Sequence, residues 1–269
     1  MRLEMFSSRA ARIPARSFPA LRAIGALILR EMSASYGRSP GGYLWALLEP
    51  IGGVALLTLF FSLTFHAPPL GASFALFYAT GLLPFMLFSD VQSKVANALT
   101  YSRALLAYPT VSFVDALIAR LALNAVTKLV VTYLVLHGCL LIFDTRASPD
   151  PLRIFEAAGL AVLLSFGIGT LNCYLFLRAP VWQQIWSILM RPMFLISGVF
   201  FLTDQLPRWA ADTLWFNPLV HVIGYLRRGF FPTYQPDYLS AFYVICVSLV
   251  ALALGLLALR TSYRDLLAR

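Results

Sequence analysis

The sequence predicts an all-α integral membrane protein of six transmembrane helices, with an N-terminal amphipathic interfacial helix and two short re-entrant helices before the last span. Three observations predict it. Hydrophobic residues fill 59% of the 269 positions and charged residues only 12%, and a mean hydropathy of +0.76 is too apolar for a soluble domain of this length. Six apolar runs come close to or exceed the roughly 20 residues that cross a bilayer. The arginines gather at the chain ends and beside those runs, where the positive-inside bias puts them. Residues 1–269 therefore read as a single transmembrane domain.

In the first element, residues 18–36, the stripe Leu21, Ile24, Ile28 and Met32 lies on one helical face while Arg22 and Arg30 lie away from it. That pattern predicts a helix lying in the membrane interface. A first span runs from about 41 to 65 with Glu49-Pro50 inside it, and the uncharged run 72–89 makes a second. Residues 90–112 are more polar, with Asp90, Lys94, Asn97 and Arg103, and Pro109 stops the pattern, so a short helix in the aqueous phase is expected. The third span covers 121–143 and the fourth 157–177, where the small residues Ser165 and Gly169 permit close helix packing.

The fifth run, 181–203, carries one intramembrane charge, Arg191, followed by Pro192, and the sixth, 238–259, is uncharged. Between them, 204–237 is apolar but is broken at Asn217-Pro218, too early on either side for a crossing, which predicts a re-entrant pair. A seventh span would put the tail opposite the N-terminus, yet both ends bear arginines: Arg2, Arg9, Arg12 and Arg16 at one, Arg260, Arg264 and Arg269 at the other. Six spans with both ends in the cytoplasm fit best. Residues 90–112 are then cytoplasmic, and 204–237 is external.

Several function classes lose support on the residues alone. The formal charge of +9 does not point to nucleic acid, because the basic residues follow the membrane topology. No Gly-x-x-x-x-Gly-Lys-[Ser/Thr] occurs, and neither Lys94 nor Lys128 follows a glycine-rich segment, so this chain has no phosphate loop of its own. His66, His137 and His221 are scattered without metal-ligand spacing, and the three cysteines sit in apolar runs. A membrane-embedded enzyme would need acids, bases or nucleophiles converging at one depth, whereas the spans offer Glu49, Lys128 and Arg191 as isolated charges. Arg191 costs about 3 kcal/mol to insert. It is therefore expected to meet an anionic substrate, or else Glu49 or a backbone carbonyl. Lys128 is expected to snorkel toward an interface. Among the aromatics near the spans, Trp45 and Trp182 are candidates to line a substrate path.

Four stretches, LREMSASYGRSPGGYLWALLEP (29–50), ANALTYSRALLAYP (96–109), RPMFLISGVFFLTDQLP (191–207) and WFNPLVHVIGYLRRGFF (215–231), resemble the permeases of type 2 ABC exporters. Within that family the resemblance is to those exporting capsular polysaccharide, with the O-antigen exporters related. It covers nearly the whole chain from about residue 20. The resemblance implies a bacterial inner-membrane permease that is not itself an enzyme, assembled as a homodimer with two copies of a separate ATPase subunit. ATP and magnesium would sit on that subunit, and this chain would bind no cofactor. Residues 94–108 would form the cytoplasmic coupling helix, with Arg30, Glu31, Asn97, Tyr101, Arg103 and Tyr108 carrying the ATPase contact. The pore would form at the homodimer seam for an acidic, lipid-linked capsular polysaccharide, with Arg191, Arg227, Arg228, Glu49, Trp45 and Trp182 along its path. Periplasmic and outer-membrane export proteins would continue the conduit. The alternatives are a permease of the same type for another substrate, such as O-antigen, teichoic acid, a lipid or a drug, and a membrane-embedded enzyme that modifies glycans or lipids.

Overall fold

The computed structural model describes residues 19–36, 42–106 and 111–268, which are helical almost throughout and contain no strand. Ten α-helices follow one another: α1 (Pro19–Tyr36), α2 (Gly42–Thr64), α3 (Phe74–Ala96), α4 (Ala98–Tyr101), α5 (Phe113–Ile142), α6 (Pro151–Arg178), α7 (Pro180–Ile196), α8 (Arg208–Trp215), α9 (Pro218–Phe230) and α10 (Ala241–Ala268). Among the described residues, five helices are long and apolar enough to cross a membrane, within α2, α3, α5, α6 and α10.

The fifth expected span, 181–203, is where the helix is shorter than the apolar run. Helix α7 has 17 residues, about 25 Å at 1.5 Å per residue against a hydrocarbon core of about 30 Å. It stops because Gly198 takes a left-handed φ of +82° immediately after the C-cap Ser197, a conformation that ends a helix and that glycine adopts without penalty. Helices α3, α5, α6 and α10 run past at least one end of their apolar runs. Helix α3 passes the charge at Asp90 and continues to Ala96 because Val91 and Val95, one turn apart, are fully buried and keep the apolar face going. What was expected as one aqueous helix over 94–108 is thus the end of α3, the single turn α4 and further turns to 106. Helix α5 starts eight residues before the apolar run 121–143, where Ser112 and Asp115 form a capping box.

The core is organised around α3 and α6. Helix α3 is packed by α6, α5, α2 and α9, and α6 also carries α10. Phe77, Leu76 and Leu164 are fully buried at this centre. Small residues let the backbones close up. A Cβ added at Gly255 would lie 2.7 Å from the Leu171 nitrogen, and one at Gly169 would lie 2.8 Å from Val95 Cβ. Gly169 thus does serve the close packing its sequence context suggested.

By contrast α2 and α7 are attached on one side only. Leu56, Leu59, Phe60 and Leu63 lie outward on α2, and no residue of α7 is buried. Helix α1 meets α5 with Leu27 and Glu31 inward while Met32 is exposed. Its buried stripe is therefore offset from the predicted Leu21–Met32 stripe, because a charged residue, Glu31, is the one that turns in.

Candidate functional site

At the end of the molecule where α1, α4 and α5 meet, three of the residues singled out from the sequence come together. Glu31, 3% exposed, lies 3.1 Å from Arg120 Nη1, and its Oε1 accepts a hydrogen bond of 3.1 Å from Asn124 Nδ2. The Arg120 guanidinium sits 3.8 Å from the centroid of the Tyr101 ring, and Arg30 approaches the same ring at 5.3 Å. One buried carboxylate and one aromatic ring thereby tie α1, the α4 turn and α5 together. A buried charge of this kind persists only where it is paired and hydrogen-bonded.

Asn97 plays a local part, its Nδ2 donating to the Ser93 carbonyl at 2.9 Å as α3 ends. Arg103 is exposed beyond α4. Tyr108 lies outside the described residues. Arg120 and Asn124 were not singled out from the sequence. Their signal was present: an arginine and an asparagine four positions apart occupy one face of a mostly apolar helix.

A second polar feature is a cavity of about 850 Å³ between α2, α3 and α5, lined among others by Trp45, Glu49, Asp90, Lys94, Asn124 and Lys128. Lys128 and Asp90 form an ion pair across α3 and α5. Lys128, expected to reach toward an interface, thus meets the first charge of the polar segment 90–112. Glu49 and Trp45 are exposed at the mouth. Arg191 is exposed on α7 and has no ion-pair partner among the described residues. The structure does not bring it to Glu49.

Where α3, α6 and α7 meet, Trp182 donates through Nε1 to Asn172 Oδ1 at 3.0 Å, and Asn172 donates onward to Gln92 Oε1 at 3.4 Å. This chain of buried amides fastens the start of α7 to α6 and α3. Arg227 is also fully enclosed. Its Nη1 and Nη2 donate to the Phe201 and Val199 carbonyls at 2.9 and 3.0 Å, and its guanidinium lies 4.3 Å from the Phe77 ring centroid. Burial pushes Arg227 down to about 10, partly offset by Tyr234, Tyr238, Asp204 and Tyr78, so it stays cationic at neutral pH. Its donors are thus directed at the chain that follows α7, which makes it a positioning residue for α9. Arg228 is half-buried, and its Nε has no hydrogen-bond partner among the described residues.

His221 completes this corner. The Ser240 N–H donates to its Nδ1 at 3.2 Å, so Nε2 carries the proton and donates to the Trp215 carbonyl at 2.8 Å. Burial lowers its pKa from the usual 6.5, and the Trp215 carbonyl works the other way. The neutral ring is the form this geometry holds. Tyr234 donates to Asp204 at 3.0 Å and sits 3.0 Å from the Tyr238 hydroxyl. No group of three or more histidine, cysteine or carboxylate side chains with metal-binding geometry occurs among the described residues.

Comparison with known proteins agrees with this architecture. The family described as ABC-2 type transporter matches residues 22–231. The chain is 30% identical over 238 residues to the polysialic acid transport protein KpsM of Escherichia coli, spanning 88% of this chain and 92% of that protein. It is 25% identical to the capsule polysaccharide export inner-membrane protein CtrC of Neisseria meningitidis, over 87% of this chain and 89% of that one. It is 26% identical to the capsule polysaccharide export inner-membrane protein BexB of Haemophilus influenzae, over 89% and 90% respectively.

Proposed function

This chain belongs to the ABC-2 type transporter family, and from that premise we propose that it is the permease subunit of an ATP-driven exporter carrying a lipid-linked, acidic capsular polysaccharide across the bacterial inner membrane. The observation that carries the proposal is the near end-to-end match to three transport proteins of polysialic acid and capsule polysaccharide from different bacteria. The substrate is inferred from what those relatives transport. An acidic substrate is supported by the exposed cation Arg191 on α7 and by the half-buried Arg228.

The chain has no phosphate loop, so the energy source is a separate ATPase subunit, two copies of which would engage two copies of this chain. In this arrangement α4 with Arg103 beside it is the contact that receives the ATPase stroke. Helices α2 and α7, the two held on one side only, face the partner copy and the pore between them. Glu49 and Trp45 from α2 and Arg191 from α7 would then border one path. Helix α7 acts as the fifth of six crossing segments, completed by residues 197–202, and α8 and α9 form the re-entrant external mouth with both chain ends cytoplasmic. ATP and magnesium belong to the partner subunit. Periplasmic and outer-membrane export proteins would take over the polymer at the external mouth.

The test is affinity purification of the tagged chain from native membranes in mild detergent, with identification of what accompanies it, an ATPase assay, and measurement of surface polysaccharide in cells lacking the chain. A stoichiometric ATPase partner whose hydrolysis rate depends on this chain, together with loss of capsule, is the expected result. A lone chain without ATPase, or a full capsule in its absence, would overturn the assignment.

A further inference from the structure

We propose that Arg120 is the positioning residue through which movement of the α4 turn reaches helices α1 and α5, a step that rests on the coupling role given to α4 above. The guanidinium has one partner of each kind. Toward α1 it makes a short charge-assisted contact, 3.1 Å to Glu31 Oε1, and Asn124, one turn further along α5, donates to the same oxygen at 3.1 Å. Glu31 is thus held by two donors from α5, so α1 and α5 are joined by a directional contact that favours movement as a unit.

Toward α4 the contact is of another nature. Tyr101 offers only the face of its ring, 3.8 Å from the guanidinium carbon, an attraction that tolerates sliding in the plane of the ring and involves no hydrogen bond at risk. Arg120 is 6% exposed and Glu31 3%, so solvent does little to screen the charges. Arg30, on the same helix as Glu31, sits on the same tyrosine ring at 5.3 Å. One ring is therefore approached by a cation from α5 and a cation from α1.

The guanidinium is also incompletely satisfied. Its Nε is buried and has no hydrogen-bond partner among the described residues, although a guanidinium fork facing a carboxylate can engage with two donors. The group keeps an unused donor beside an acceptor it contacts through one nitrogen. A shift of α4 that pushes Tyr101 along the guanidinium would turn the fork without breaking the carboxylate contact, and α1 and α5 would be carried with it. Lysine at this position would keep the charge but lack the planar face and the fixed fork of donors.

The test compares full-length complexes in native membranes carrying Arg120→Lys, Arg120→Glu alone, the double exchange Glu31→Arg with Arg120→Glu, or Arg103→Glu. Membrane abundance, co-purified ATPase, its hydrolysis rate and surface polysaccharide are read for each. Arg120→Lys is expected to assemble with its ATPase and hydrolyse ATP within about twofold of wild type while surface polysaccharide falls at least fivefold. The double exchange restores the ion pair but moves the guanidinium from α5 to α1. It is expected to recover abundance relative to Arg120→Glu alone without recovering export.

A purely structural ion pair predicts full rescue by the exchange, and wild-type export from either the exchange or Arg120→Lys overturns the inference. If the exchange does not accumulate, Arg120→Lys decides by itself; loss of the ATPase from Arg120→Lys complexes overturns the inference too, because Arg120 would then act in docking. Arg103→Glu separates the two levels of the argument. Loss of ATPase association or stimulation there leaves the coupling role of α4 standing whatever Arg120 does, whereas normal association and normal stimulation remove that role and this inference with it.

Discussion

Individual side chains here are informative because most polar groups in the bundle are matched to a partner. Arg227 donates to the Val199 and Phe201 carbonyls, so Arg227→Met strands two acceptors in an enclosed site. The expected cost is about 3 kcal/mol, or an apparent Tm lower by about 6–12 °C in detergent; a drop under 2 °C would show that α9 holds its place without the arginine. His221 is held neutral, with its pKa lowered by burial. A depressed pKa means that the unfolded chain takes up protons first as pH falls, so the stability this ring contributes is complete above about 6.5 and is lost below it. Thermal stability should therefore decline more between pH 7 and pH 5 in wild type than in His221→Gln, and parallel pH profiles would exclude the effect. Arg191, exposed on α7 with no ion-pair partner among the described residues, is expected to tolerate Arg191→Ala in assembly while surface polysaccharide falls several-fold. Undiminished capsule would remove its substrate role.

At the scale of elements, the closeness of α6 and α10 depends on glycine where the backbones touch. A Cβ at Gly255 would press on Leu171 and Thr170, whereas one at Gly159, on another part of α6, would meet nothing within 4 Å. Gly255→Ala is expected to destabilise by about 1–3 kcal/mol because the helices must part. Gly159→Ala is expected to stabilise by up to about 1 kcal/mol, since alanine is the better helix former and nothing opposes it. Apparent Tm of the two variants, measured side by side, checks the contrast, and equal shifts would mean that the close approach contributes nothing. The helix ends are similarly local: Asp150 caps α6 through the Leu152 and Arg153 N–H groups with Pro151 at the first position, and Asn217 caps α9 ahead of Pro218.

For the whole molecule, the one-sided attachment of α2 and α7 is the feature that supports the proposed second copy. In a variant with its native cysteines replaced, Phe60→Cys on the outward face of α2 should form an intermolecular disulfide in membranes, and Leu141→Cys, equally outward but on α5, should not. Cross-linking at both positions alike, or at Leu141 alone, would place the seam elsewhere. Much of this organisation is legible in the sequence. The bilayer as solvent, the helical class and the places of the long helices follow from the local density and length of apolar runs, because a spanning segment is selected by its own transfer free energy. The stop at Asn217-Pro218 is equally local. The sequence does not disclose that α3 runs through Asp90 to Ala96, because a charge tolerated beside Lys128 is indistinguishable, along the chain, from a charge that ends a span. Nor does it disclose that Glu31 turns inward, since its partner Asn124 is 93 residues away and Arg120 lies on that same helix. The sequence by itself determined the long apolar helices α2, α3, α5, α6 and α10; only the tertiary structure decided which charges are buried and what they hold, because the cost of a buried charge is set by the partner that distant folding brings to it.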